Sequence, residues 1–346
     1  MTRATVLRTA GGFSVRLRPR PVAVGVACAL VALVVAVFAI GGGDYPMSPA
    51  AVVRTLLGQG TPADTFIVEQ VRLPRVLTAL LAGGALALSG AAFQALARNP
   101  LGSPDLLGFT QGAAAGALTV IVVIGGGGFV LAGGAVAGGL VTGAVIYLLA
   151  WRDGLHGNRL ILVGIGVYAI LTGINGYLLT RANIPDAARA ILWLTGTLDG
   201  RGWGDLAPLL AVMVVVVPVV LLGCARGLRI LEMGDDAATA LGVRVDAVRL
   251  ALLAAAVLLS ALAAAATGPV AFVALTSPQL ARRLTRDPGP NLLPSLCMGA
   301  ALLVTADLAA QRLIPGHQLP VGVVTGVLGG AYLVGLLAAR RRAGRL

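Results

Sequence analysis

Apolar runs of membrane length recur along almost the whole chain, and this one feature restricts what it can fold into. About 20 apolar residues cross the hydrocarbon core of a bilayer as a helix. Inside that core every backbone N–H and C=O must be bonded within the protein, so a chain built from such runs becomes a helical bundle. Runs of this kind lie near residues 21–41, 74–96, 106–125, 129–150 and 159–180. Five more lie near 206–225, 248–268, 270–285, 291–311 and 319–339. The expected fold class is an all-α polytopic membrane protein with about ten transmembrane helices, several broken by Gly or Pro and the eighth short. Composition agrees: 58% apolar and 12% charged residues among 346 leave too little polar surface for a soluble domain. With 48 glycines and 4% aromatics, the helices should approach one another through small residues. The first run follows five arginines as a secretion signal would. It is longer than a signal's apolar region, and no A-x-A site immediately precedes Gly41, so it reads as an uncleaved span.

All 26 basic residues are arginine. A P-loop needs a lysine on the nucleotide phosphates, so the chain supplies no Walker-type ATPase of its own, and no catalytic residue is expected. The net charge of +12 does not mark a nucleic-acid partner, because the arginines flank apolar spans instead of forming one basic face. On the span map, 19 fall on one side and 7 on the other. By the positive-inside rule both termini are cytoplasmic in a bacterial inner membrane. Residues 1–20 form a cytoplasmic tail, 21–339 a single transmembrane domain and 340–346 a second tail. Cys28, Cys224 and Cys297 stand alone on apolar stretches, without metal-binding or disulfide spacing. His156 and His317 fall on opposite sides, so no metal site is expected.

Three polar segments interrupt this pattern. Glu69–Arg75 holds Arg72 and Arg75 around Pro74, a residue suited to the first turn of a helix. The two arginines either snorkel to the interface or meet an acidic partner on the arginine-poor side. Leu231–Val243 contains Glu232, Gly234, Asp235, Asp236, Ala240, Leu241 and Gly242. Asp235 or Asp236 can cap a short helix that Gly242 ends, serving as a loop closure or as a rigid knob for a cytoplasmic motor. Arg98–Asp105 and Gly157–Arg159 place Asn99, Leu101, Gly157 and Asn158 at cytoplasmic span ends, as gate or as turns. Asp307 is the one carboxylate placed inside a span and reads as a helix-packing group near its outer end. A faint echo between Arg75–Leu107 and Arg249–Leu280, each an arginine, an apolar span and a Pro-containing break, starts on opposite sides, as an inverted repeat would.

Arg72-Leu73-Pro74-Arg75, Leu88-Ser89-Gly90-Ala91, Arg98-Asn99-Pro100-Leu101, Gly234-Asp235-Asp236-Ala237 and Leu319-Pro320-Val321-Gly322 together resemble the iron–siderophore/vitamin B12 ABC permease family, in order and in register with the spans from about residue 21 to 339. Within it, Arg98–Phe109, Leu231–Val243 and Gln318–Leu333 are similar to one of two unlike permease subunits of ferric-enterobactin-type importers. The resemblance implies a type II ABC importer permease with the vitamin B12 permease-like fold. It also implies a second, unlike permease subunit, two cytoplasmic ATPase subunits and a periplasmic or lipid-tethered binding protein. ATP and Mg would be cofactors of the ATPase subunits, none of this chain, and the cargo a ferric siderophore. By the same resemblance Arg72 and Arg75 meet glutamates of the binding protein, Glu232–Gly242 sits in the ATPase groove, and Asn99, Leu101, Gly157 and Asn158 form the cytoplasmic gate. The family's third docking arginine falls at Gln311 here, with Arg312 next to it, and Pro278-Gln279 stands where Pro-His is common. Haem or cobalamin import uses the same mechanism. An ion-coupled carrier would depend on Asp307, and an intramembrane enzyme would need a cluster of carboxylates, His or Lys that the sequence lacks.

Overall fold

A computed structural model describes residues 5–8, 14–43, 45–151, 157–314 and 317–342. Arg152, His156 and parts of both tails lie outside the described residues. The N-terminal tail contributes a short antiparallel pair, β1 Thr5–Arg8 with β2 Ser14–Leu17. Among the described residues the remaining named elements are helices. In chain order the helices begin with α1 Pro19–Gly41, α2 Pro49–Leu56, α3 Pro62–Ala97 and α4 Phe109–Ile124. They continue with α5 Gly128–Ala150, α6 Gly157–Arg181, α7 Ile184–Leu194 and α8 Trp203–Leu231. The last five are α9 Asp235–Ala240, α10 Val245–Thr267, α11 Val273–Thr285, α12 Leu292–Arg312 and α13 Val321–Arg342.

Seven of them, α1, α3, α5, α6, α8, α10 and α12, are long and apolar enough to cross a membrane. The other three expected spans correspond to α4, α11 and α13, and two of these are short for a visible reason. The chain leaving α3 turns back at Arg98 and climbs beside α6, so that Leu107 packs on Gly164 and Gly108 on Tyr168. At 1.5 Å per residue, those contacts lie roughly 10–16 Å along α6 from Gly157, and α4 needs to cover only the remaining depth. At the other end, Gly268–Phe272 carries the chain inward without helical bonding before α11 starts. Irregular backbone at this depth is tolerated only inside protein, and α11 is buried along Val273–Gln279, including Thr276, Ser277 and Gln279. The two breaks sit at opposite ends of the bundle, as the internal echo predicts.

Helices α3 and α10 form the centre and bury most of their length, with Ser89 Oγ donating to the Ala256 carbonyl at 2.6 Å. Around them α12 packs along α3, and α4 packs along α5 through facing glycines. A Cβ on Gly116 would come within 1.9 Å of the Gly134 carbonyl oxygen, and one on Gly138 within 2.2 Å of that of Gly112. Small-xxx-small pairs of this kind bring backbones together where hydrophobic driving force between helices is absent. The flanks of α1, α5, α6 and α8 expose long apolar side chains such as Leu33, Leu148, Leu162 and Leu222.

Three helices lie outside the ten-span map. Helix α9 is the expected short helix after α8, whereas α2 and α7 were not anticipated. Both carry a start signal in the sequence: Ser48-Pro49 caps α2 (Ala51 N–H to Ser48 Oγ, 3.2 Å) and Asn183 caps α7 (Asp186 N–H to Asn183 Oδ1, 2.9 Å). Helix α3 begins twelve residues before the expected start at 74. Phe66–Arg72 forms wider, π-type turns, which absorb the missing N–H and the ring of Pro74. Pro74 accordingly lies in the first turn of the α-helical part, Leu73–Ala97, as expected, with the wider turns preceding it.

Candidate functional site

Polar side chains gather at the two ends of the bundle. At the arginine-poor end, the π-type turns of α3 aim Arg72 and Arg75 in different directions. Arg72 is half-buried and donates to the carbonyls of Ile40 (2.7 Å) and Tyr45 (2.8 Å), across the C-terminus of α1. Arg75 is drawn inward: only 14% of its side chain is exposed. Its Nε and Nη2 donate to Asp307 at 3.0–3.3 Å, and its Nη1 to Gln318 Oε1 at 2.9 Å and Asp199 Oδ1 at 3.3 Å. Asp307 is fully buried and also accepts from Gln311 Nε2 at 2.7 Å. The residue standing where the family has a third docking arginine thus completes the shell of Asp307. Asp307 clasps α12 to α3, the packing role its position predicts.

Arg312, one residue on, turns away from Asp307 and is exposed. Its Nη2 donates to the Phe38 carbonyl at 3.3 Å. Arg72 and Arg312 consequently flank the same turn, since Cβ atoms on Gly43 and Gly42 would each meet one of their guanidinium groups at 3.1 Å. Cations at a helix C-terminus satisfy its last carbonyls and its dipole. Asp199 and Gln318 escaped the sequence reading because they lie on loops far from Arg75 in the chain.

At the arginine-rich end, α9 projects from the bundle. Gly234 precedes it with φ +114° and Gly242 follows Leu241 with φ +78°, the left-handed termination expected there. Neither aspartate caps the helix. Asp235 is drawn instead to Arg249 Nη2 (2.8 and 2.9 Å) and Arg98 Nη2 (2.5 Å), because a charged pair outcompetes a backbone cap. Asp236 is exposed and pairs with no arginine among the described residues. Glu232 ends α8, where partial burial pushes its carboxyl above the ordinary value against the pull of Arg282 and Arg229. Met233 and Leu241 are 71% and 62% exposed, with Ala240 exposed between them. The knob is thus acidic and apolar on its outer surface and bolted to the body through Asp235.

The segment after α3 lies beside this knob. Arg98 ends the helix with φ 48°, Asn99 Oδ1 accepts from the Leu101 N–H at 2.9 Å, and Leu101 is 46% exposed. Gly157 opens α6 against Ala97, where a Cβ would come within 3.0 Å of backbone, so the start of α6 meets the end of α3 two residues before Asn99. Asn158, next in the chain after Gly157, is exposed. From the buried side, Gln279 Nε2 donates to the Pro100 carbonyl at 3.0 Å, which is the work of the amide where Pro-His is common. The N-terminal approach to α1 is held nearby by an Arg18–Asp287 ion pair. Burial pushes the Asp287 carboxyl up, but Arg18 and the Gly289 N–H hold it below the ordinary carboxylate range. No group of three metal-ligating side chains occurs among the described residues.

A bundle of membrane-length helices with short, irregular half-spans inside it, and charged side chains gathered at its two ends, has the architecture expected of a membrane permease. The sequence profile of the FecCD transport family matches residues 30–339, and the chain belongs to that family. It is 43% identical over 310 residues to the ferric enterobactin transport system permease protein FepG of Escherichia coli (strain K12), covering 90% of this chain and 94% of that one. The achromobactin transport system permease protein CbrC of Dickeya dadantii (strain 3937) is 36% identical over 90% of each chain. The hemin transport system permease protein HmuU of Yersinia pestis is 36% identical over 83% of this chain and 88% of that one. Among solved structures, a metal-chelate type ABC transporter in an inward-facing conformation superposes with a TM-score of 0.81 at 28% identity, covering 92% of this chain and 99% of that chain.

Proposed function

We propose that this chain is one permease subunit of an ATP-driven importer that carries a ferric siderophore of the enterobactin type through a bacterial inner membrane. The observation that carries the reading is the family match together with the division of labour between the ends. Arg72 and Arg312 converge on one end, and an acidic, apolar-tipped knob leaves the other. In this reading the arginine-rich end and both termini are cytoplasmic, residues 1–20 and 340–346 are tails, and 21–339 is the permease domain. The Glu232–Gly242 element seats in a groove of a partner ATPase, where ATP and Mg are bound. Met233 and Leu241 supply the apolar contact and Asp236 the charge. Asn99, Leu101, Gly157 and Asn158 close the cytoplasmic gate. The partner permease covers α6 and α13, whose exposed flanks combine apolar residues with open glycines such as Gly173 and Gly330. The siderophore assignment draws on the 43% identity to a ferric enterobactin permease, with haem import, favoured by the hemin relative, as the second reading.

Uptake by proteoliposomes holding this chain, its ATPase, its binding protein and a second permease tests the reading. Ferric enterobactin should accumulate with ATP, and haem and cobalamin should not. Haem accumulation without ferric enterobactin would replace the cargo, and uptake driven by a proton gradient without ATP would replace the mechanism. Omitting the second permease should abolish uptake. Efficient transport in its absence would establish that two copies of this chain suffice.

Docking of the acidic binding protein is assigned to Arg72 and Arg312, with Arg75 behind them holding the α3–α12 corner. Exposed pairs contribute only about 0–1 kcal/mol each, so Arg72→Glu with Arg312→Glu should weaken docking by roughly tenfold, through repulsion as well as lost attraction. The effect should shrink as salt screens it. Unchanged affinity at low ionic strength would remove both residues from the interface.

A further inference from the structure

We infer that Arg98 is the strut by which helix α9 moves the gate segment, and that Asp235 and Asp236 therefore have separate tasks. The inference rests on the reading of α9 as the ATPase contact and names the connection that reading leaves open. Arg98 occupies the left-handed position at the end of α3, where glycine fits without steric cost. An arginine held there brings a side chain that glycine lacks, and its contacts show what that side chain reaches. Its Nη2 donates to the Leu231 carbonyl at 3.0 Å and to Asp235 Oδ1 at 2.5 Å. These acceptors are the end of α8 and the first residue of α9, so a single guanidinium grips the base of the knob.

The backbone of Arg98 continues directly into Asn99, and the Asn99 carboxamide holds the Leu101 N–H. A shift of α9 is thus delivered through one side chain to the two gate positions. The far side of the segment is fixed by Gln279, a buried residue of α11, on the Pro100 carbonyl. The gate segment therefore hangs between an anchor on the projecting knob and an anchor on the buried scaffold. Asp235 also accepts both hydrogen bonds from Arg249 Nη2, whose side chain is 11% exposed at the start of α10. Asp235 faces inward and links three elements, whereas Asp236 faces outward and is left for the ATPase.

The test uses the complete importer with its ATPase, second permease and binding protein, carrying Leu101→Cys as a reporter read by peptide mass spectrometry after treatment with a membrane-impermeant maleimide. In Arg98→Gln the ATPase should co-purify at wild-type stoichiometry and still hydrolyse ATP. Uptake per ATP should fall by roughly tenfold or more, the weight of a charge-assisted hydrogen bond. The ATP-plus-vanadate change in labelling at position 101 should disappear, which a merely structural role would not produce in an assembled complex. Arg98→Lys should recover part of both, because it keeps the charge but not the planar fork. Asp235→Asn should repeat the loss, whereas Asp236→Asn should weaken retention of the ATPase and leave the labelling change intact in the complexes that assemble. Wild-type uptake per ATP and labelling in Arg98→Gln would overturn the strut. So would loss of the ATPase from Arg98→Gln, Arg98→Lys and Asp235→Asn alike, since Arg98 would then be a scaffold residue. The underlying reading is checked separately: Met233→Asp with Leu241→Asp should release the ATPase, and full retention would refute the ATPase contact whatever Arg98 does.

Discussion

Arg75→Ala is expected to cost about 3–5 kcal/mol of stability, the range for removing one partner of a buried ion pair. The Asp307 carboxylate would be stranded with none of its side chain exposed, supported only by the Gln311 amide. The clasp between α3 and α12 would open at the same time. Removing both charges, as Arg75→Ala with Asp307→Ala, should recover much of the loss, because the penalty comes from the unpaired charge and not from the absence of the pair. Unfolding of the purified chain by SDS titration in mild detergent checks this. A single variant within about 1 kcal/mol of wild type, the value of an exposed pair, would show that water reaches Asp307. The result also bears on docking experiments. A charge reversal at Arg75 would damage the fold, so a loss of partner binding in such a variant would not report on the interface.

Gly116→Val should be at least as damaging to the α4–α5 pair. The added side chain starts 1.9 Å from the Gly134 carbonyl oxygen, and the obstacle is backbone, so no rotamer relieves it. Overpacking of this kind costs about 1–3 kcal/mol where neighbours can shift, and more where they cannot; a cost of about 3 kcal/mol or more is expected here. Gly133→Ala, on the same α5, has nothing within 4 Å of its new Cβ. It should be neutral or gain up to about 1 kcal/mol of helix propensity. The two variants compared in the same SDS titration give the test, and equal midpoints would mean that α4 and α5 do not approach as described.

The sequence by itself determined the class of fold, the approximate places of the seven membrane-length helices and of the shorter apolar ones between them, and the presence of a short helix after α8. These follow from local properties: the run length a bilayer requires, arginines at span ends, and glycines and aspartates around 231–243. The motifs also pointed to the family. The helices α2 and α7 were legible in their Ser48-Pro49 and Asn183 caps, although at 8 and 11 residues they are too short to register in a search for spans. Only the tertiary structure decided which charges meet. Arg75 and Asp307 are 232 positions apart, and so lie beyond any local pattern. Their pairing places Arg75 in a buried network, and it gives Gln311 a partner at the position where the family has an arginine. The same holds for Arg98, Asp235 and Arg249, and for Gln279 on Pro100. Each partner is an ordinary polar residue near a span end until the bundle folds. The physical reason is that hydrophobic periodicity is a property of a segment, whereas the burial of a charge, and hence its role, depends on what the other helices place beside it.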